Sequence, residues 1–185
     1  MSVSLCRGGE FVDLSAGSFR EIVMQHQAMV FSLARRVVTD PGLAEEVAQD
    51  VFMELHRRGT EVESGDHLKY WLRRVTMHRA IDQVRRRSAR PELQGDEFVE
   101  EIHTDGAASA SWQQLGLASR VESLVESLPE TQRAVVTLRY QEDIDPDEIA
   151  ALLNMPVATV KSHLQRALQL MRRKASVVLK EYRRD

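Results

Sequence analysis

Thr159, Lys161, Ser162, His163, Gln165 and Arg166 place hydroxyl, ammonium, imidazole, amide and guanidinium groups within two turns of a helical repeat. Side chains of these types hydrogen-bond to phosphate oxygens and to the edges of bases in a major groove. Lys161, a compact point charge, suits a phosphate, whereas Ser162, His163 and Arg166 suit base edges. Behind them Val160, Leu164, Leu168 and Met171 recur at helical spacing and mark the inward side. The preceding residues supply the rest of a helix-turn-helix. Asp145-Pro146-Asp147-Glu148 offers an N-cap, a proline at the first helical position and a glutamate able to cap back. Ile149, Ala150, Leu152 and Leu153 form an apolar stripe, and Asn154-Met155-Pro156 breaks the helix. Asn154 stands where glycine often ends a helix, because asparagine tolerates the left-handed conformation. A helical hairpin used for protein contact would leave this polar face unexplained, so the segment is read as a duplex-DNA reader.

A second basic stretch lies earlier. Arg73, Arg74, Arg79, Arg85, Arg86, Arg87 and Arg90 are opposed within residues 73–90 only by Asp82. A solvated surface mixes signs, so phosphate binding is the better reading. Tyr70 and His78 are placed to stack on and hydrogen-bond to an unpaired base, while Trp71 belongs to the core. A third face is acidic: Glu45, Glu46, Gln49, Asp50, Met53 and Glu54 lie opposite the apolar side of a helix over residues 41–58. Two readings of it stay open here, a solvated surface or a docking face for a basic partner helix with Met53 as an adaptable apolar contact.

The elements that must carry these faces are all helical. Aromatic residues make up 5 % of the 185-residue chain, glycine and proline are few, and no run of alternating β-branched residues suggests a strand. Residues 1–17 read as a loose leader. Ser18-Phe19-Arg20-Glu21 matches a capping box, followed by Phe19, Ile22, Val23, Met29, Val30, Leu33 and Val37 on one face. Asp40-Pro41 opens a second helix with Leu43, Val47, Val51, Phe52 and Leu55 inward, and Gly59 stops it. A third runs from about Asp66 to Ser88 with Leu68, Trp71, Leu72, Val75, Ile81 and Val84 as its apolar set. Residues 89–112 carry Pro91, Gly95 and the acids Glu92, Asp96, Glu97, Glu100, Glu101 and Asp105, and read as a flexible acidic linker. Residues 113–180 hold the second domain, where Pro129 opens a helix with Ala134, Val135 and Leu138 inward. The expected fold is therefore all-α: a helical bundle over 18–88 and a helix-turn-helix domain, joined by a flexible acidic linker.

Net charge is −3, so attraction to nucleic acid must be local to the two basic helices. Cys6 is the sole cysteine, which fits a reducing, cytoplasmic compartment. No apolar run reaches the ~20 residues of a membrane span, and Arg7, Glu10 and Asp13 interrupt any secretory core. Glycine-rich phosphate loops, Gly-x-Ser-x-Gly and His-Glu-x-x-His are missing, so neither an enzyme nor a metal or cofactor is expected.

Taken together, the two halves resemble bacterial RNA polymerase sigma factors of the extracytoplasmic-function group. Ala44-Glu45-Glu46-Val47-Ala48-Gln49-Asp50-Val51-Phe52, Trp71-Leu72-Arg73-Arg74-Val75 and Ala80-Ile81-Asp82-Gln83-Val84-Arg85-Arg86-Arg87 are similar to their second domain. Leu128-Pro129-Glu130-Thr131-Gln132-Arg133, Leu138-Arg139-Tyr140, Glu148-Ile149-Ala150 and Val157-Ala158-Thr159-Val160-Lys161-Ser162 are similar to their fourth. The resemblance implies an alternative sigma factor whose Glu46, Gln49, Asp50, Met53 and Glu54 dock on core RNA polymerase. Tyr70, Arg73, Arg74, His78, Arg79, Arg85 and Arg86 would bind the proximal promoter element and its opened strand. Thr159, Lys161, Ser162, His163 and Arg166 would read the distal element, and an anti-sigma protein would cover the polymerase-binding faces. Three residues depart from the pattern: His78 where asparagine is frequent, His163 where arginine is frequent, and Pro156 in place of a serine cap. Two rivals make different predictions. An ordinary regulator with a sensor bundle would bind duplex DNA tightly alone, and an interaction module such as an anti-sigma antagonist would not need Arg166.

Overall fold

A computed structural model describes residues 16–58, 65–89 and 117–182. The sequence-based readings of the leader before residue 16, of the stop at Gly59 and of the linker over 90–112 lie outside the described residues. Seven helices are described: α1 (Ala16–Val38), α2 (Pro41–Arg58), α3 (Gly65–Ser88), α4 (Leu117–Glu126), α5 (Glu130–Tyr140), α6 (Pro146–Leu153) and α7 (Val157–Tyr182). No strand occurs among the described residues. The chain divides into two compact units, Met1–Ala80 and Ile81–Asp185, and the division falls inside the continuous helix α3.

In the first unit a two-residue turn makes α1 and α2 antiparallel neighbours. Thr39 adopts a left-handed φ of 63°, and its N–H donates to the Arg35 carbonyl at 3.0 Å, closing α1. Asp40 then caps α2, its Oδ1 accepting the Leu43 N–H at 3.1 Å, as the Asp-Pro pair predicts. Val30, Leu33, Ala34 and Val37 of α1 are buried, as are Ala44, Val47, Val51 and Leu55 of α2, each set spaced by three or four residues. α1 begins at Ala16, two residues before the expected Ser18 cap. In α3 the fully buried positions are Leu72, Thr76, Met77 and Ala80. Trp71, Val75 and Val84 are only half-buried, so the inward stripe is rotated relative to the expected one. Thr76 could be overlooked as polar, yet its hydroxyl donates to the Leu72 carbonyl at 2.6 Å and is satisfied within the helix.

The second unit is built on α5, which is buried nearly all round. Ala134, Val135, Thr137 and Leu138 are fully buried and Arg133 almost so. Pro129 occupies the N-cap position of α5 rather than its first turn. Arg133 donates to the Leu128 carbonyl at 2.9 Å. Burial lowers its pKa, and the carboxylates of Glu126 and Glu130 oppose that shift. Val125, Leu128, Val136 and Ala167 form one core cluster, against which Leu164, Leu170 and Met171 pack. Asp145 stands at the N-cap of α6 with extended backbone, but its side chain makes no capping bond. Its carboxylate instead accepts Arg139 Nη1 at 3.1 Å, which also holds the Ile144 carbonyl at 3.2 Å and so fixes the α5–α6 turn.

The α6–α7 turn has the expected conformation. Asn154 sits at φ 51°, ψ 51°, its N–H donating to Ala150 O, and the Met155 N–H donates to the same carbonyl at 3.0 Å. Pro156 ends the turn and its carbonyl accepts the N–H groups of Thr159 and Val160 at 2.9 and 3.2 Å. A β-branched side chain is strained in this region, so Asn154→Val should destabilise the unit by about 1–2 kcal/mol. Asn154→Gly should fold with wild-type stability or close to it; urea unfolding of the two variants checks both.

Candidate docking and nucleic-acid interfaces

α2 buries one side and presents the other. Glu45, Glu46, Gln49, Asp50 and Met53 are exposed, Met53 by 59 %. Glu54 differs. Its side chain is 16 % exposed and accepts Arg79 Nη2 of α3 at 2.7 Å on one oxygen and Arg58 Nη2 at 3.1 Å on the other. Position 54 adjoins the buried Leu55 and lies three residues beyond Val51, so it turns toward α3 rather than out with Asp50. Glu54 and Arg79, assigned from sequence to two different binding faces, therefore meet each other and tie α2 to α3. The hydrogen bond from Arg79 holds the Glu54 carboxyl below the usual glutamate range, against the opposing effect of burial, with Arg58 and Arg57 adding to the lowering. The folded-state pKa is depressed, so the pair's contribution is present in full above the unfolded value of about 4.3 and is lost as pH falls through the folded value. Glu54→Gln should flatten the acid limb of the stability curve below about pH 5, as measured by urea unfolding at successive pH values.

Between α1 and α2 lies a groove of about 950 Å3, lined by Phe19, Val23 and Phe31 from α1 and by Gln49, Phe52 and Met53 from α2. Sequence reading missed it. Helical periodicity places Phe19 and Val23 in the core stripe and does not mark Phe31. The signal was available, since residues 19, 23 and 31 form a second apolar row beside the buried one. At one end the Phe19 ring meets the His56 ring at 4.9 Å between centroids, tilted by 56°.

On α3, Tyr70, Arg74, His78 and Arg85 fall within one side of the helix by their spacing. Arg74, Arg85 and Arg86 are exposed, and Tyr70, Arg73, His78 and Arg79 are half-buried. The structure thus brings the unpaired-base candidates Tyr70 and His78 onto the same side as two arginines.

On α7, Lys161, Gln165 and Arg166 are exposed, while Thr159, Ser162 and His163 are half-buried. His163 is the misfit. It lies one turn before the fully buried Ala167, at the border of the core, and its Nδ1 is buried without a hydrogen-bond partner. Burial lowers its pKa, the nearby Arg166 charge lowers it further, and Glu130 opposes both. The imidazole is therefore held neutral near pH 7, and only part of the ring is available to a base edge. Among the described residues no cluster of histidine, cysteine or carboxylate side chains could hold a metal ion. Nor is any described helix long and apolar enough to cross a membrane.

Residues 22–90 match the model for Sigma-70 region 2, and residues 118–171 match that for Sigma-70 region 4. The first match spans the α1–α3 bundle and the second spans the helix-turn-helix up to Met171, which defines a transcription initiation factor of the sigma-70 type. Relatives include the ECF RNA polymerase sigma factor SigW of Bacillus subtilis, 25 % identical over 164 residues, covering 84 % of this chain and 88 % of that protein. SigE of Mycolicibacterium smegmatis is 30 % identical over 156 residues, covering 84 % of this chain and 60 % of that protein. The chain belongs to the extracytoplasmic-function group of sigma factors, which direct RNA polymerase to promoters. Solved structures share its fold. CnrH in complex with the cytosolic domain of CnrY has a TM-score of 0.59 at 21 % identity, covering 90 % of this chain and 92 % of that one. RpoE in complex with the anti-sigma factor NepR from Bartonella quintana has a TM-score of 0.61 at 21 % identity, covering 88 % and 96 %.

Proposed function

We propose that this sigma factor docks on core polymerase through the outer side of α2 and holds promoter DNA at two places through α3 and α7. Glu46, Gln49, Asp50 and Met53 form the docking face, with Glu54 acting mainly by fixing α2 against α3. Tyr70, Arg73, Arg74, His78, Arg85 and Arg86 bind the proximal element, Arg79 anchoring the helix from which they project. Thr159, Lys161, Ser162, His163 and Arg166 read the distal element. Opening of the duplex is driven by binding: bases held out of the stack offset an unstacking cost of a few kcal/mol. No step requires a catalytic group or a cofactor.

The observation that carries this reading is the segregation of charge, with Glu45, Glu46 and Asp50 exposed on α2 while exposed arginines and Lys161 mark α3 and α7. A fold neighbour caught with an anti-sigma factor supports a further element, an inhibitor protein that covers the docking face. The site of action is the cytoplasm, where polymerase and template meet. A gel shift on promoter fragments tests the reading: a specific shift with core polymerase and little with the chain alone. Tight, specific binding by the chain alone identifies an ordinary duplex-binding regulator instead.

A further inference from the structure

The groove between α1 and α2 leaves Phe31 36 % and Met53 59 % exposed, and apolar surface of this kind is normally covered by something. Its two ends carry opposite charge. Glu45 lies toward the α1–α2 turn, whereas His56 and Arg57 edge the far end, where the His56 ring meets Phe19. Both Glu45 and Arg57 are exposed, and Arg57 is held along the edge by its Nε, which donates to the Met53 carbonyl at 3.4 Å. A surface that is acidic at one end, apolar in the middle and basic at the other is complementary to itself turned through half a revolution. We propose that the free protein forms a symmetric dimer in which the grooves of two copies face each other with their α2 helices antiparallel.

The register follows from the residues. Glu45 and Arg57 lie at equal distances, about 9 Å along the helix, on either side of residue 51. A two-fold axis crossing α2 at that level sets Glu45 of each copy against Arg57 of the other. It also sets Gln49 of each against Met53 of the other, so that the exposed methionine enters the apolar middle of the facing groove. Methionine adapts to such irregular space. A parallel arrangement would set Glu45 against Glu45 and Arg57 against Arg57, a like-charge contact at both ends. The groove engages fewer residues per copy than the roughly 20–30 of a standard interface, so the dimer is weak and reversible. Gln49 and Met53 also belong to the face assigned to polymerase, so self-association hides that face until polymerase splits the dimer. This consequence, unlike the dimer itself, rests on the docking reading.

The test is sedimentation of the full chain over a dilution series, with methyl-labelled methionine followed by NMR across the same concentrations. The parent should pass from dimer to monomer on dilution, and the Met53 methyl resonance should move with it. Buried Met77 and exposed Met24, which does not line the groove, should stay in place. Glu45→Arg and Arg57→Glu should each weaken the dimer by about tenfold or more, since symmetry makes one exchange count twice. Mixed together, the two variants should pair with each other at close to the parent's affinity, because each copy then meets opposite charge at both ends. A parent that stays monomeric at millimolar concentration overturns the proposal and leaves the groove to polymerase or an inhibitor. So does a dimer whose Met53 resonance ignores dilution, or a pair of variants that fail to associate. Core polymerase in excess should hold one chain per polymerase; two chains bound together would overturn the hiding of the docking face. If polymerase binds no form of the chain, the docking reading fails, and the dilution series still decides the dimer.

Discussion

Reversing charge at Glu46 and Asp50 together, as Glu46→Arg/Asp50→Arg, is expected to weaken association with core polymerase by roughly a hundredfold or more. Both residues are exposed on α2, so the exchange removes no core packing and the fold should survive, as thermal unfolding would verify. A basic partner surface would then face like charge. Like-charge juxtaposition costs several kcal/mol, and each 1.4 kcal/mol is a factor of ten in affinity. The loss should appear first in the association rate and should shrink as salt is raised, because exposed charges act through steering and are screened. Isothermal titration or fluorescence anisotropy with core enzyme at two salt concentrations gives both readings. If α2 were a solvated acidic surface without a partner, the double variant would bind as the parent does.

On the DNA side, Lys161→Ala and Arg166→Ala should fail in different ways although both residues are exposed on α7. Lys161, assigned to phosphate, should weaken holoenzyme binding about equally on all promoters and lower the salt slope by about one. Arg166, assigned to a base edge, should cost about 1–3 kcal/mol and relax preference at one position of the distal element. Competition binding against a library randomised through that element separates the two. Uniform loss with Arg166→Ala would place that guanidinium on the backbone instead. His163 limits how far this helix can be read as a row of equivalent contacts, since its ring is partly committed to the core border.

How much of this was legible in the sequence depended on whether local chemistry decided the outcome. Asn154 and Pro156 were legible because a left-handed turn and a helix start restrict the residue types that fit, and both stand where expected. The Asp40 cap was legible for the same reason. Asp145 shows where such reasoning stops. Its position was right, but a nearby guanidinium outcompeted the backbone N–H groups for its carboxylate. Glu54 and Arg79 were assigned to separate faces because periodicity locates a side chain on its own helix and says nothing of the helix across from it. The α1–α2 groove was missed for a related reason: an apolar row at helical spacing looks the same whether it is buried by a neighbour or left open beside one. Thr76 and Met77 were overlooked in α3 because the arginines crowding that helix blur its amphipathic pattern.

The central claim is that one chain joins polymerase to two stretches of promoter. Its most direct test is run-off transcription with core polymerase and the purified chain on a library of genomic fragments, with the 5′ ends of the products sequenced. The account predicts a discrete set of start sites that share a duplex motif upstream and a second motif nearer the start, absent when either component is omitted. Contradiction would be the lack of any chain-dependent start site on any fragment, with both proteins shown to be folded.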